Sequence, residues 1–109
     1  MMDNKLGISL LYDFYGGLIP ASQQRVVELY VNDDLSLSEV ADILGISRQG
    51  VRDSLNRAAE KLRGYEEKLG LLRDYRERAK AADSIRASAA SIGGMTDNEE
   101  IRALCADII

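Results

Sequence analysis

Twenty-two residues, Ser36 to Arg57 (SLSEVADILGISRQGVRDSLNR), constrain the fold of this chain more than any other stretch. Ser36 precedes Glu39 by three residues. That is the spacing of a capping box, in which the hydroxyl accepts from the amide three residues on and the carboxylate reaches back to the cap amide. Leu37, Val40, Ala41 and Leu44 then recur at helical spacing, which predicts a short helix, Ser36–Leu44, with one apolar face. Gly45 stops it, because glycine enters the left-handed conformation without a Cβ penalty. Ile46 is placed to plug the turn, and Ser47 to cap a second helix on which Val51, Leu55, Ala58 and Leu62 share a face. Two helices joined by a short glycine turn, the second carrying polar groups, predict a helix-turn-helix. An ordinary two-helix corner of a bundle would share the pattern.

The second helix has a surface suited to reading nucleic acid. At about 100° per residue, Arg48, Arg52, Asn56 and Arg63 fall in one stripe, with Gln49 beside it. Arginine grips guanine bidentately, Asn and Gln grip adenine, and a serine hydroxyl can donate to phosphate. Ser47, Arg48, Gln49, Arg52 and Asn56 are therefore the candidate nucleic-acid contacts, clustered at the N-terminal end where a recognition helix touches bases. Arginines also populate solvated helix faces. Asp53 and Arg57, four apart, are expected to form such a surface ion pair. Arg48 and Arg52 are like charges at the same spacing, and an anion between them would relieve their repulsion.

Charge supports that location. The chain carries net −4, which argues against indiscriminate binding to nucleic acid. Residues 1–46 hold seven acids against two bases, residues 47–80 ten bases against six acids, and residues 81–109 five acids against two bases. The positive part begins at the candidate recognition helix.

Other chemistries find little to build on. There is no histidine, hence no usual proton shuttle and no commonest metal ligand, and Gly16–Gly17 and Gly93–Gly94 lack the lysine and spacing of a phosphate loop. An enzyme is not expected, nor a cofactor or metal. Cys105, the single cysteine, lies among Ile101, Leu104 and Ile108 as a small hydrophobe would. With no long apolar run and no possible intrachain disulfide, a cytoplasmic protein without membrane insertion is expected.

Helical patterning extends to both ends. Lys5 to Tyr15 predicts a first helix with Leu6, Leu10, Leu11 and Phe14 inward, ended by Gly16 and Gly17. A second runs from about Ala21 to Val31, started by Pro20, with Val26, Leu29 and Tyr30 toward the core and Gln23, Gln24, Arg25 and Glu28 outside. Asn32-Asp33-Asp34 predicts a turn whose short side chains bond the local backbone. Beyond Ser47, Leu55, Leu62 and Leu69 are seven apart, and Ala58, Tyr65 and Leu72 follow each by three, an a/d pattern. Gly64 and Gly70 predict a break or bend. The stripe could fold back on its own domain. Alternatively Leu62, Tyr65, Leu69 and Leu72 form a homodimer interface, the preferred expectation because Leu69, Leu72 and Tyr75 otherwise lack a partner beside so small a core. Tyr75 to Ala90 predicts more helix, Ser91 to Met95 a flexible joint, and Thr96 with Glu99 a capping box opening a last docking helix. No segment has the signature of a strand.

LYDFYGGL (Leu11–Leu18), ELYVNDDLSLSEVADILGISRQGVRDSLNR (Glu28–Arg57) and YEEKLGL (Tyr65–Leu71), in that order and spacing, resemble the YlxM family of small bacterial proteins. The middle segment also resembles region 4 of sigma factors, which reads a promoter element. Gly50 stands where the family usually has alanine, Pro20-Ala21-Ser22 replaces a more usual Thr-x-Lys, and past Tyr75 the resemblance fades. The resemblance implies an all-α fold, a sigma-region-4-like three- or four-helix bundle with a long C-terminal helical extension. The expected division is a helix-turn-helix domain over 1–63 and an extension over 64–109 for dimerisation and docking. The resemblance also implies a regulatory role in the signal recognition particle pathway. Family genes commonly neighbour those of its GTPase Ffh and receptor FtsY. DNA, the particle's RNA, Ffh and FtsY are thus the expected partners, and docking on Ffh without nucleic acid is the rival reading.

Overall fold

The computed structural model describes residues 5–109, and its described residues hold six α-helices and no strand. They are α1 (Lys5–Tyr15), α2 (Ala21–Val27), α3 (Leu37–Leu44), α4 (Arg48–Leu69), α5 (Leu71–Met95) and α6 (Glu99–Ile108). The chain is all-α, as the patterning predicts. It divides into two compact units, one ending at Leu72 and the other beginning at Arg73. The boundary falls later than 63 because Leu62 and Leu72 both belong to the first unit's core.

In the first unit α4 packs against α1, α2 and α3. Its face of Val51, Leu55, Ala58 and Leu62, at most 2% exposed, is the predicted stripe, widened by Ala59. Val26, Val27 and Leu29 come from the second helical segment, and Val40 and Ala41 from α3. Leu37 and Leu44 sit at the edge of that core.

Helix α1 turns inward a face that only overlaps the predicted one: Leu11 is buried and Leu10 packs against the core as predicted, but Leu6 and Phe14 do not. Ile8, Leu11 and Tyr15 are buried, whereas Leu6 is 73% exposed and Phe14 stands partly out. Lys5, Ser9 and Asp13 form the polar edge of KLGISLLYDFY, and the apolar remainder is wide enough to hold two overlapping stripes at helical spacing. The choice falls on Tyr15 because its hydroxyl has work at the far end of α4. It donates to Glu66 Oε1 at 2.7 Å and accepts from the Leu71 amide at 3.0 Å. The same carboxylate oxygen accepts from the Leu72 amide at 3.0 Å. Tyr15 and Glu66 thereby satisfy the first amides of α5, donors that have no intrahelical acceptor. Gly70, at φ 62°, ends α4 and makes this joint. Gly64, by contrast, lies inside an unbroken helix, since packing on either side outweighs its modest propensity cost.

Further corrections follow from tertiary packing. The second helix ends as α at Val27 and continues through Glu28–Asn32 as a π-turn. Gln23, expected outside, is buried. Leu62 and Leu72, assigned by their spacing to a dimer seam, are 0% and 5% exposed within their own chain. Tyr65 is half-buried against the same core, and its hydroxyl donates to the Leu18 carbonyl at 3.3 Å. Only Leu69 of the four is open to solvent, at 53%. Leu62, Tyr65 and Leu72 thus find their partner in the first unit's own core, and Leu69 does not.

In the second unit α5 runs through Gly93 and Gly94 without a joint. Gly93 faces α6, where an added Cβ would meet Cys105 Cβ at 3.4 Å. Asn98, and not Thr96, caps α6; its Oδ1 accepts from the amides of Glu100 and Ile101. Thr96 instead braces the cap, its Oγ1 accepting from the Asn98 amide.

Candidate nucleic-acid interface

The candidate site is the junction of α3 and α4. Ser36 caps α3 with both halves of the predicted box: Glu39 N donates to Ser36 Oγ at 3.1 Å, and Ser36 N donates to Glu39 Oε1 at 3.1 Å. Gly45, at φ 67°, closes the helix in the left-handed region, and the Ile46 amide donates back to the Ala41 carbonyl at 3.1 Å. This six-to-one bond reverses the chain within three residues. Ser47 then starts α4, its Oγ accepting from the Gly50 amide at 3.0 Å. That contact uses a lone pair, so the Ser47 hydroxyl proton stays available to an acceptor. Glycine at position 50 suits the cap, because an added Cβ would come within 3.2 Å of Ser47 Oγ.

Four of the five candidate contacts are presented together. Ser47, Arg48, Gln49 and Arg52 are all exposed. Arg48 and Arg52 make no ion pair or hydrogen bond with any described residue. Gln49 is held on the helix, its Nε2 donating to Asp53 Oδ1 at 3.0 Å. That bond takes the carboxylate expected to pair with Arg57. Asn56 does not join the group: it is half-buried, and its Oδ1 is sealed from solvent without a hydrogen-bond partner among the described residues. An adenine grip needs both ends of the amide, so the geometry withdraws Asn56 from that role.

Arg48 and Arg52 also line an open groove of about 470 Å³, opposite the first turn of α3. Lys5, Tyr30, Ser38 and Glu39 share this groove. Lys5 was not a candidate on sequence grounds, since its partner lies 29 residues away. Its Nζ donates to Asp34 Oδ1 at 2.9 Å and sits 4.1 Å from the Tyr30 ring centroid, a cation–π contact. Asp34 holds a left-handed φ of 54° there, and its hydrogen bond and attraction to Lys5 lower its pKa from the ordinary value. Ser9 donates to Asn32 Oδ1 at 3.2 Å nearby. The acidic turn is therefore tied to α1, and Asp34 does not bond its local backbone as expected. With Lys5 engaged by Asp34 and Glu39 by its cap, the groove's two unengaged charges are guanidinium groups.

The family model described as "Putative helix-turn-helix protein, YlxM / p13 like" and named UPF0122 matches residues 2–101. The chain belongs to the UPF0122 family. A UPF0122 protein of Caldanaerobacter subterraneus subsp. tengcongensis is 48% identical over 86 residues, which cover 79% of this chain and 74% of that relative. UPF0122 proteins of Listeria innocua and Geobacillus kaustophilus are 41% and 40% identical, over 80% and 79% of this chain and 79% and 78% of their own. The UPF0122 description agrees with the helix-turn-helix built by α3 and α4. Among the described residues, no helix is long and apolar enough to cross a membrane.

Proposed function

We propose that this UPF0122 protein is a regulatory nucleic-acid-binding protein of the signal recognition particle pathway, contacting DNA or the particle's RNA through the start of α4. One observation carries the reading: Arg48 and Arg52, one turn apart and exposed, have no ion-pair or hydrogen-bond partner among the described residues, at the N-terminal end of the second helix of a helix-turn-helix. Like charges at this spacing repel unless an anion lies between them. Phosphate or a guanine edge supplies that anion, with the Ser47 hydroxyl and the first amides of α4 as further donors. The pathway assignment rests on the family resemblance.

A second reading has its own support. The seven acids of residues 1–46 would suit a basic protein partner such as Ffh, contacted without nucleic acid. The two readings separate in one paired titration. Wild type and the Arg48→Ala/Arg52→Ala variant are titrated against labelled particle RNA, genomic DNA fragments and purified Ffh, each at two salt concentrations. The double variant should keep its helix content, lose roughly 1–3 kcal/mol of nucleic-acid affinity per base contact removed, and show a flatter salt dependence. Binding to Ffh should change little. A wild-type chain that binds Ffh but no nucleic acid at low salt defeats the first reading and leaves the second.

A further inference from the structure

The second unit does not bury enough of itself. Residues 73–109 are compact, yet only Ala89 and Cys105 of them are buried. Between Arg73 and Ser88 no residue of α5 is buried. Units of fewer than about 40 residues rarely hold together without a disulfide, a metal or another chain. The single cysteine excludes an intrachain disulfide. The apolar residues that would make a core are present but face outward. Ile85 is 58% exposed, Ile92 51%, Leu104 64% and Ile108 51%. Ile85, Ile92 and Ile108 form the walls of an apolar groove of about 280 Å³ whose floor is Ala89 and Cys105. Ile108 lining the same groove as Ile85 shows that α6 folds back along the second half of α5.

The geometry points to a second copy of this chain as what covers this groove, in an antiparallel pairing of the two hairpins. Charge selects both the occupant and the direction. Residues 73–86 carry five bases against three acids, whereas residues 97–109 carry four acids against one base. Arg76 and Lys80 on α5, and Glu99 and Glu100 on α6, make no ion pair among the described residues. A two-fold axis across the groove sets the acidic start of each α6 beside the basic first half of the other α5. It also lets the isoleucine walls of one groove enter the other, because an isologous interface brings the same patch from both copies. A parallel pairing would place like charges together. The seam is thus the hairpin face, and not the stripe through Leu62 and Leu72, which the chain's own core already uses.

Sedimentation equilibrium of the full chain tests this. The wild type, 12.0 kDa per chain, should sediment at twice that mass at micromolar concentration. Ile85→Glu and Ile92→Glu should each weaken association by roughly 100-fold or more, since a carboxylate would be buried unpaired at the seam. Both side chains are exposed in the single chain, so the helix content at low concentration should be unchanged by circular dichroism. Glu99→Lys with Glu100→Lys should weaken the dimer as well, and adding Arg76→Glu with Lys80→Glu should restore it. Three results overturn the proposal: a monomeric wild type, a dimer indifferent to both Ile85→Glu and Ile92→Glu, or a monomer that instead co-sediments with phosphatidylcholine vesicles.

Discussion

The two units draw on similar helical sequence and spend their large apolar side chains in opposite ways. Among the described residues, the first buries fifteen hydrophobic residues in one cluster around α4, whereas the second buries two. In the first, four helical segments converge, so each stripe meets another. In the second, α6 can cover only one side of α5, and isoleucines and a leucine remain on the surface. Helical patterning tells which residues line a face. Whether that face is inside depends on how many other faces the chain can bring to it.

The largest effect that separates the units comes from truncating side chains. Leu62→Ala should cost about 2–5 kcal/mol, because Leu62 is fully buried and its removal leaves a cavity. Met95→Ala in the second unit should stay within about 0.5 kcal/mol, since Met95 is 86% exposed. Urea denaturation followed by circular dichroism measures both, and equal costs would erase the contrast.

Polar satisfaction sharpens it next. Tyr15→Phe removes the hydroxyl that joins Glu66 to the Leu71 amide and should cost about 1–3 kcal/mol, the range for orphaning part-buried polar groups. Faster amide exchange at Leu71 would place the loss at this joint; an unchanged rate would show that solvent already serves the amide.

Helix caps probe both units with the same chemistry. Ser36→Ala should lower stability by about 1 kcal/mol and shift the thermal midpoint of the main transition. Asn98→Ala removes a cap bonded to two amides, yet its effect should be confined to the helical signal of α6 and leave that midpoint in place. A common shift would mean that the two units melt as one.

The last test is alkaline and belongs to the first unit. Tyr12 has its pKa raised from 10.0 to about 12, first by burial and then by its hydrogen bond to Glu28. The folded state therefore holds this proton more tightly than the unfolded chain. Its stabilising contribution is complete below pH 10 and is lost as pH rises toward about 12. Tyr12→Phe should flatten that part of the stability–pH curve, as read from chemical denaturation across the range.

Much of this molecule was legible in its sequence because the signals were local. The Ser36–Glu39 box, the left-handed Gly45, the Ser47 cap and the face from Val51 to Leu62 each depend on residues a few positions apart, and each stands as its spacing predicts. The exposure of Ser47, Arg48, Gln49 and Arg52 follows from the same helical phase. Asn56 lies on that phase too, yet it is half-buried, which the wheel of a single helix does not register.

What tertiary structure alone decided lies at longer range. The inward face of α1 was chosen by Tyr15 meeting Glu66, 51 residues away. Lys5 was drawn to Asp34 across 29 residues, and it took the acidic turn from its local backbone. Leu62 and Leu72, one heptad pattern by spacing, were taken by the first unit's core, while Leu69 between them was left to solvent. Periodicity ranks the faces of one helix but carries no information about which other helix arrives. That choice is made by the sum of burial and hydrogen bonding over the whole packed unit, where Ile8 and Tyr15 supply the burial that Leu6 and Phe14 forgo and the Tyr15–Glu66–α5 hydrogen bonds add to it.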